Sequence, residues 1–298
     1  MEEIRHVVQP WEEGWRLGRV IRSGMQVSAS QLKSARWNGR LFLDGAPARA
    51  DDRVHAGQTV SLPLAAEPPL YHPTPWAIAL NIPYADASLL VVDKPAPMAC
   101  QSSARQPDNT LENALCAWEG NPPDYVYRPV NRLDKGTSGL MVAAKHAHSQ
   151  MLLSRQLHTP EFAREYLAVT DGVPAEPEGV IDAPIGKADG ATVRREVRAD
   201  GKPSRTAYRT LEAGNGRALL RLKLDTGRTH QIRVHLSHIG CPVFGDFLYG
   251  TERPDALPGR FALHSAYVRF LHPLTGQALE FESPLPGALR ALLPKAGS

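Results

Sequence analysis

The chain has 298 residues, enough for one large domain with a smaller one beside it, and a formal net charge of +3. No apolar run approaches the ~20 residues of a membrane-spanning helix, and the N-terminus lacks the apolar core of an export signal. The composition argues against membrane and exported proteins, and we expect a monomeric globular protein of the cytoplasm.

Residues 1–64 are predicted to form a small α/β module. Leu17, Val20 and Ile21 have helical spacing, a second helix is predicted to begin near Gln31, and strands are predicted within residues 40–47 and 57–62. This layout resembles the alpha-L RNA-binding motif, whose basic helices face the RNA backbone. The resemblance implies RNA phosphate contacts, with a solvated basic face as the alternative. The basic residues concerned are Arg19, Arg22, Lys33, Arg36 and Arg40.

Residues 65–78 are predicted to be a linker between this module and a larger domain at 79–298. Pro68, Pro69, Pro73 and Pro75 occur in this stretch. Proline fits neither a helix interior nor a central strand, because its ring fixes φ and its nitrogen carries no proton. We therefore expect a semi-rigid connection.

The larger domain alternates strand-like and helix-like segments without a regular βαβ period, which predicts a mixed sheet. In the segment 230–239, Ile232, Leu236 and Ile239 repeat with helical spacing and are predicted to face the core. Arg233 would then point from another side of this helix into a cleft. Strands are predicted at 89–92, 139–145, 166–170, 218–224 and 261–270, and helices at 147–158 and 230–239.

Residues 131–140, Asn-Arg-Leu-Asp-Lys-Gly-Thr-Ser-Gly-Leu, are the most informative segment. Arg132 and Lys135 flank Asp134 and would favour its ionised form, while Gly136 and Gly139 give the backbone freedom for a sharp approach to a ligand. A carboxylate in such a turn can act as a nucleophile. The alternative is an ordinary Asp-Lys-Gly turn between two apolar segments.

The decapeptide resembles the Arg-Leu-Asp-x-x-Thr-Ser-Gly-Leu signature of the RluA family of RNA pseudouridine synthases. Four further segments, at 90–95, 164–169, 227–235 and 263–273, resemble other motifs of this family in the same order. Asn131, Arg164, Pro97 and Gln101 depart from the usual family residues, which affects the expected substrate geometry more than the reaction. The resemblance implies an α+β fold, with a bent, mixed and largely antiparallel sheet, flanking helices and a central active-site groove.

By this resemblance, the chain isomerises specific uridines of ribosomal or transfer RNA. Asp134 would act on the sugar of a flipped-out uridine, Arg233 would pair with Asp134, and Tyr166 would lie against the base and assist deprotonation of its carbon 5. Arg132 would fill the position that the uridine vacates, and Leu263 would wall the base pocket. The substrate-binding residues implied in this way are Arg132, Thr137, Arg228, His230, Gln231 and Leu263.

Neither a metal nor another cofactor is expected. The pairs His146 with His148 and His230 with His235 have ligand-like spacing, but neither pair has a convincing third ligand. Three widely spaced cysteines indicate reduced thiols rather than a disulfide framework or a zinc site. Of the 34 basic residues, 26 are Arg, which suits phosphate contacts, although a general compositional bias explains them equally well.

Two other functions remain open from the sequence. A non-catalytic RNA-binding or ribosome-assembly factor could retain the fold, but it would not need Asp134, Tyr166 and Arg233 together. A nucleoside or glycoside hydrolase would need a second catalytic carboxylate to activate water, and the sequence shows none in a setting comparable to that of Asp134.

Overall fold

The computed structural model describes residues 3–64, 71–157 and 159–293. These residues form a four-stranded sheet, a ten-stranded sheet and a two-stranded hairpin. The predictions for residues 65–70 of the linker, for His158 at the end of a helix and for the last five residues lie outside the described part. No helix in the described ranges is long and apolar enough to cross a membrane.

The N-terminal elements enclose a core of their own, which includes Leu17, Val20 and Ile21. The second helix begins before the predicted position because Ser28 caps it. The Ser28 hydroxyl accepts the N–H of Gln31, and the Gln31 side chain accepts the N–H of Ser28. The elements are β1 (Glu3–Val7), a 3-10 turn (Pro10–Glu12), α1 (Leu17–Ser23), α2 (Ala29–Trp37), β2 (Phe42–Leu43), β3 (Ala46–Pro47) and β4 (Thr59–Pro63).

The remaining elements contain all the strands and helices predicted for the larger domain, with ends shifted by a few residues. They are β5 (Asn81–Ala85), β6 (Leu89–Lys94), α3 (Leu111–Trp118), β7 (Arg128–Pro129), β8 (Ser138–Ala144), α4 (Ala147–Gln156), β9 (Ala163–Asp171), β10 (Glu178–Asp182), β11 (Ile185–Lys187), β12 (Arg195–Val197), β13 (Arg205–Gly214), β14 (Arg217–Leu224), α5 (Gln231–His238), β15 (Leu263–Leu271), β16 (Ala278–Glu282) and α6 (Gly287–Arg290).

The large sheet has the strand order β10-β13-β14-β9-β15-β8-β6-β5, with β16 paired to β15 and β7 paired to β8. Every described pairing in it is antiparallel except that of β15 with β8, where His264 lies opposite Ser138. The predicted mixed, largely antiparallel α+β fold is confirmed.

The centre of this sheet is buried on both faces. Along β6, Leu90 and Val92 join one hydrophobic core, whereas Leu89 and Val91 join another on the opposite face. Successive side chains of a strand point to opposite faces, so a strand covered on both sides reads as a continuous apolar run. This rigid centre carries the loop that contains Asp134.

Part of the predicted linker lies along α3. The Trp76 N–H donates to the Asn113 carbonyl at 3.0 Å, and the Asn113 side chain donates to the Thr74 carbonyl at 2.8 Å. The Tyr71 hydroxyl donates to the carboxylate of Glu112. Residues 71–76 are thereby attached to the larger sheet domain.

Candidate active site

Asp134 lies on the turn that leads into β8. Its carbonyl accepts the N–H of Thr137 at 3.0 Å, which closes the turn. Just beyond, Gly139 has φ of 110°, and a Cβ at this position would lie 2.2 Å from the carbonyl oxygen of Ser265. Only glycine allows β8 to approach β15 so closely, and this approach fixes where the turn begins.

Arg233, on α5, holds Asp134 from the side of the core. Its Nη1 donates to Oδ2 of Asp134 at 2.8 Å. The arginine side chain is 3% exposed, whereas that of Asp134 is 29% exposed. The carboxylate is therefore oriented from inside the protein and presented to solvent.

Two other N–H groups of the Arg233 guanidinium donate to the carboxylate of Asp246. Nε donates to Oδ2 of Asp246 at 2.7 Å, and Nη2 donates to Oδ1 at 2.8 Å. Asp246 is fully buried, and its Oδ1 also accepts the N–H groups of Leu248 and Tyr249. Burial alone would lower the pKa of Arg233, but the hydrogen bonds and charges of Asp246 and Asp134 raise it above its ordinary value.

Aromatic rings enclose this guanidinium. Its central carbon lies 4.1 Å from the ring centre of Phe261, 5.0 Å from that of Tyr249 and 5.6 Å from that of Phe247. Cations are attracted to aromatic faces, and the rings also keep water from the ion pairs. The position of Arg233 is thus determined by charge, hydrogen bonding and packing together.

The structure corrects one expectation about this cluster and adds one residue to it. Helix α5 is buried on most of its sides, so Arg233 reaches Asp134 through the interior rather than from a free polar face. Asp246, which the sequence analysis did not single out, is a second carboxylate in the same network, but unlike Asp134 it is fully buried. No local sequence signal marks Asp246, because its role depends on its contacts with Arg233 inside the folded protein.

A cleft of about 810 Å³ opens in front of Asp134. A smaller pocket adjoins it, where Tyr166, Leu263 and Thr137 surround the carboxylate. Three arginines line the cleft, and no ion pair with an acidic residue is found for any of them within the described ranges: Arg132, Arg164 and Arg228. The cleft therefore combines one positioned carboxylate with an excess of positive charge.

Tyr166 forms a wall of this pocket and is 5% exposed. Burial raises the pKa of its hydroxyl, and the nearby Arg164 opposes that change. The phenol is therefore neutral at physiological pH. Leu263, 4% exposed, provides an apolar surface in the same pocket.

Comparison with known proteins agrees with this geometry. The family model described as RNA pseudouridylate synthase matches residues 88–238, which include both Asp134 and Arg233. The ribosomal large subunit pseudouridine synthase D of Xanthomonas campestris is 35% identical over 97% of this chain and 92% of its own length. That of Nitrosomonas europaea is 40% identical over 90% of this chain and 80% of its own length. This chain belongs to the RluA family of RNA pseudouridine synthases.

A solved structure agrees with the family assignment of this pseudouridine synthase. Human RNA Pseudouridylate Synthase Domain Containing 1 is 30% identical, with a TM-score of 0.58, and the match covers 69% of this chain and 83% of that one. The fold predicted from the motifs and the observed sheet therefore agree with a known member of the family.

The other residues expected to bind substrate in this pseudouridine synthase differ in accessibility. Arg132 is exposed, and Arg228 is half-buried, with its Nε donating to the Pro203 carbonyl at 3.3 Å. Gln231 is 3% exposed, and its side chain bonds Thr226, Arg228, Arg205 and Thr206. Gln231 thus fixes the loop before α5 and has no polar atom left over for a ligand.

The cleft lining, as far as the described residues define it, includes none of the five basic residues of the N-terminal module. Arg19, Arg22, Lys33 and Arg36 are exposed elsewhere on that module. Arg40 is half-buried, donates to the Ser34 hydroxyl, and lines a cavity that the module shares with residues 146–148. No group of three or more His, Cys, Asp or Glu that could hold a metal ion occurs in the described ranges.

Proposed function

We propose that this pseudouridine synthase acts on a uridine that is flipped out of structured RNA, with Asp134 as the nucleophile. The RNA we favour is that of the large ribosomal subunit, because relatives that align over nearly the whole chain carry that name. Transfer RNA is the other substrate class that the reaction permits.

The reaction breaks the bond between N1 of uracil and the anomeric carbon of ribose, turns the base, and joins carbon 5 to the same sugar carbon. One proton leaves carbon 5 and N1 gains one, so there is no net redox change and no redox cofactor is required. A carboxylate near the anomeric carbon can stabilise positive charge there or trap the sugar covalently.

The ion pair of Asp134 with Arg233 is the observation that carries this proposal. Arg233 donates one N–H to Oδ2 of Asp134 and two N–H groups to Asp246. Oδ1 of Asp134 accepts no hydrogen bond from Arg233, and no other direct hydrogen bond to it is found within the described ranges. The negative charge of Asp246 balances the positive charge of Arg233, so Asp134, Asp246 and Arg233 together carry one net negative charge. A nucleophile needs such an oriented oxygen that has not been neutralised.

The positions of the other residues in the cleft and the smaller pocket suggest their roles. Tyr166 would lie against the flipped uracil, where its neutral hydroxyl would assist by relaying the carbon-5 proton, taking it up as it passes its own proton on, while Leu263 would contact the base. Arg132 and Arg228 would hold the RNA backbone or the vacated position, since both are accessible cations at the cleft. Thr137 is 2% exposed and would shape the pocket from within its wall.

The alternatives fit the site less well. A retaining or inverting hydrolase needs an accessible second carboxylate, but Asp246 is fully buried and its oxygens are occupied by Arg233 and backbone N–H groups. A binding factor would gain nothing from a buried arginine that orients an exposed carboxylate, because orientation of this kind serves chemistry.

The nucleophile is tested with Asp134→Asn. We expect the variant to lose release of tritium from RNA that carries tritium at carbon 5 of uridine, because an amide is a poor nucleophile. Affinity for RNA should stay within several-fold, since most binding energy comes from phosphate contacts. Asp255→Asn, which changes an exposed carboxyl, is the control and should be fully active. Release by Asp134→Asn at the wild-type rate would contradict the proposal.

The RNA target is tested by mapping pseudouridines in total RNA of a strain that lacks the gene. We expect at least one site in large-subunit ribosomal RNA to disappear and to return when the wild-type gene is restored. Restoration with Asp134→Asn should leave the site unmodified. Loss confined to transfer RNA would overturn the assigned RNA class while leaving the reaction intact.

A further inference from the structure

His230 connects the site to the β11–β12 hairpin through Tyr249. The N–H of Arg195, the first residue of β12, donates to the Tyr249 hydroxyl oxygen at 2.9 Å. The same oxygen lies 2.8 Å from Nδ1 of His230. On the other side of the ring, Nε2 lies 3.9 Å from Oδ1 of Asp134, the oxygen that Arg233 does not bind.

These contacts select one tautomer of His230. The Tyr249 oxygen already accepts a hydrogen bond from Arg195, and the proton of its hydroxyl has His230 Nδ1 as its acceptor within the described structure. If the phenol donates to Nδ1, the single proton of the neutral imidazole is on Nε2. Nε2–H then faces the free oxygen of Asp134.

The imidazole is neutral under physiological conditions. Burial lowers the pKa of His230, and the charge of Arg233 acts in the same direction, while Asp134 and Asp246 oppose both. Arg195 on β12 lowers the pKa as well. The ring is held by its contact with the Tyr249 hydroxyl and lies edge-on to the Tyr249 ring, while the left-handed backbone of His230, with φ of 60°, comes immediately before α5.

The separation of Nε2 and Oδ1 allows one oxygen atom to bridge them from the side. A separation of 3.9 Å is too long for a direct hydrogen bond. An oxygen placed about 2.8 Å from each atom would bridge them. A hydroxyl suits this position because it accepts from Nε2–H and donates to the carboxylate. In a uridine whose anomeric carbon faces Asp134, the neighbouring sugar carbon carries a hydroxyl, the 2′-hydroxyl of ribose.

We propose that His230, with its proton placed on Nε2 by Tyr249, binds the ribose 2′-hydroxyl of the target nucleotide together with Oδ1 of Asp134. This inference rests on the proposed function, since it requires the target sugar to lie at Asp134. His230 and Asp134 then distinguish ribose from deoxyribose at the reacting nucleotide, and Tyr249 is a positioning residue that acts through His230.

The test compares two RNAs that differ only in the 2′-hydroxyl of the target uridine. The ratio of their kcat/KM values is measured for wild type, His230→Asn and Tyr249→Phe. Asparagine tolerates the left-handed backbone and removes the imidazole, while phenylalanine removes only the hydroxyl. The deoxy sugar also differs in intrinsic reactivity, but this difference is common to all variants and cancels when their ratios are compared. His238→Asn, on the exposed side of α5, is the control.

The ratio of kcat/KM for the ribose substrate to kcat/KM for the deoxyribose substrate should be about tenfold higher in wild type and in His238→Asn than in His230→Asn. This difference corresponds to the loss of one hydrogen bond. Tyr249→Phe should lie between them. Equal ratios in wild type and His230→Asn would overturn the inference while leaving the proposed function standing. A wild-type protein that forms no pseudouridine would instead contradict the proposed function.

Nitrogen NMR gives a readout that a purely structural role would not change. In protein labelled with 15N-histidine, the signals of His230 are identified by their loss in His230→Asn. Wild type should show the Nε2–H tautomer, and Tyr249→Phe should show a mixture of both tautomers. An Nδ1–H tautomer in the wild type would contradict the role assigned to Tyr249.

Discussion

At the scale of single residues, Arg233 has the unusual position of serving two carboxylates at once. Asp246 takes two of its N–H groups and is fully buried, whereas Asp134 takes one and is partly exposed. The stronger, bidentate pair anchors the guanidinium, and the single bond orients the reactive group. Lysine could not do both, because its ammonium lacks the planar fork.

We therefore expect Arg233→Lys to lower kcat by at least about a hundredfold, the usual loss for one preorganised donor.

Asp246→Asn keeps an acceptor for the backbone but loses one for Arg233, and should lower kcat by about tenfold while RNA affinity is retained. Because both act on one network, the double variant should lose less than the product of the single losses. Single-turnover kinetics measures this, with Asp225→Asn, a surface partner of Arg205, as the control. Losses that multiply would contradict a shared network.

Lys94 is a buried lysine beside the same loop. Its Nζ donates to the carbonyls of Pro95 and Met98, and the Met98 N–H donates to the Lys135 carbonyl. Burial lowers the pKa of Lys94 to about 8. The lysine thus connects the segment after β6 to the turn that carries Asp134, but its charge is poorly solvated there.

This burial makes stability depend on pH in the alkaline range. Between pH 8 and the pKa of an unfolded lysine, about 10.4, the unfolded chain keeps a proton on Lys94 that the folded protein has lost, so Lys94 by itself makes the free energy of unfolding rise with pH. The thiols of Cys100, Cys116 and Cys241 act in the opposite direction, because burial raises their pKa. Relative to Lys94→Met, the wild-type free energy of unfolding should therefore rise by up to about 3 kcal/mol over this range. Urea unfolding at several pH values measures it. Lys223→Met, at an exposed lysine, should show the same pH dependence as wild type, and an identical pH dependence in Lys94→Met would contradict the role of Lys94.

At the scale of elements, the junction of β8 with β15 determines where the turn that carries Asp134 lies. This parallel pairing joins residues 138–139 to residues 264–265 directly after the Asp134 turn. It depends on Gly139, whose absent side chain makes room for the Ser265 backbone. The sequence indicated that glycine was needed near Asp134, and the structure identifies β15 as the neighbour that requires it.

Gly139→Ala should lower the free energy of unfolding by at least about 3 kcal/mol, because neither strand can move without breaking the sheet. Gly190→Ala is the matched control, since its φ of 68° is also positive but no atom lies within 4 Å of the added Cβ. That substitution should cost only about 1 kcal/mol, from the backbone conformation. Similar losses in chemical unfolding of the two variants would mean that contact with Ser265 is unimportant.

At the scale of the whole molecule, the N-terminal module and the larger sheet have separate cores. Between them lie a hydrogen bond of 3.2 Å from Arg155 to Gln26 and the cavity lined by Arg40 and residues 146–148. The active-site residues all belong to the larger part. We interpret the module as an RNA-docking element that contributes affinity but no chemistry.

Removal of residues 1–70 should therefore leave a folded catalytic domain with single-turnover rates at saturating RNA close to those of the full chain. Its affinity should be lower and should depend less steeply on salt, because fewer counterions are released on binding. The measurement is the slope of log affinity against log salt for both proteins. An insoluble product would show that the boundary is wrong.

A full-length variant tests whether the positive charge of the N-terminal module, rather than the module as a whole, accounts for the salt dependence. Arg19, Arg22, Lys33 and Arg36 are all exposed, and replacing the four with Gln removes their charge together with the Arg19 contact with Trp15 and the Arg22 hydrogen bond to the Val27 carbonyl. If each contacts a phosphate, the slope should fall by about three. An unchanged slope would mean that this face does not touch RNA.

The sequence by itself predicted five strands and two helices of the larger domain, and it singled out Asp134 as the candidate nucleophile. Apolar runs and helical periodicity are local properties, so strands such as β6 and β8 and helix α5 could be predicted from neighbouring residues. The turn around Asp134 was recognisable for the same reason. The family resemblance then indicated Arg233 and Tyr166, although each is far from Asp134 along the chain.

Only the tertiary structure decided how these groups are connected. Arg233 lies 99 residues from Asp134, and whether it serves one carboxylate or two depends on packing that brings Asp246 into the same interior space. The burial of α5, the Tyr249 contact to His230 and the approach of β8 to β15 have the same origin. Such contacts join distant segments, and their free energy depends on desolvation and fit, which local sequence patterns do not encode.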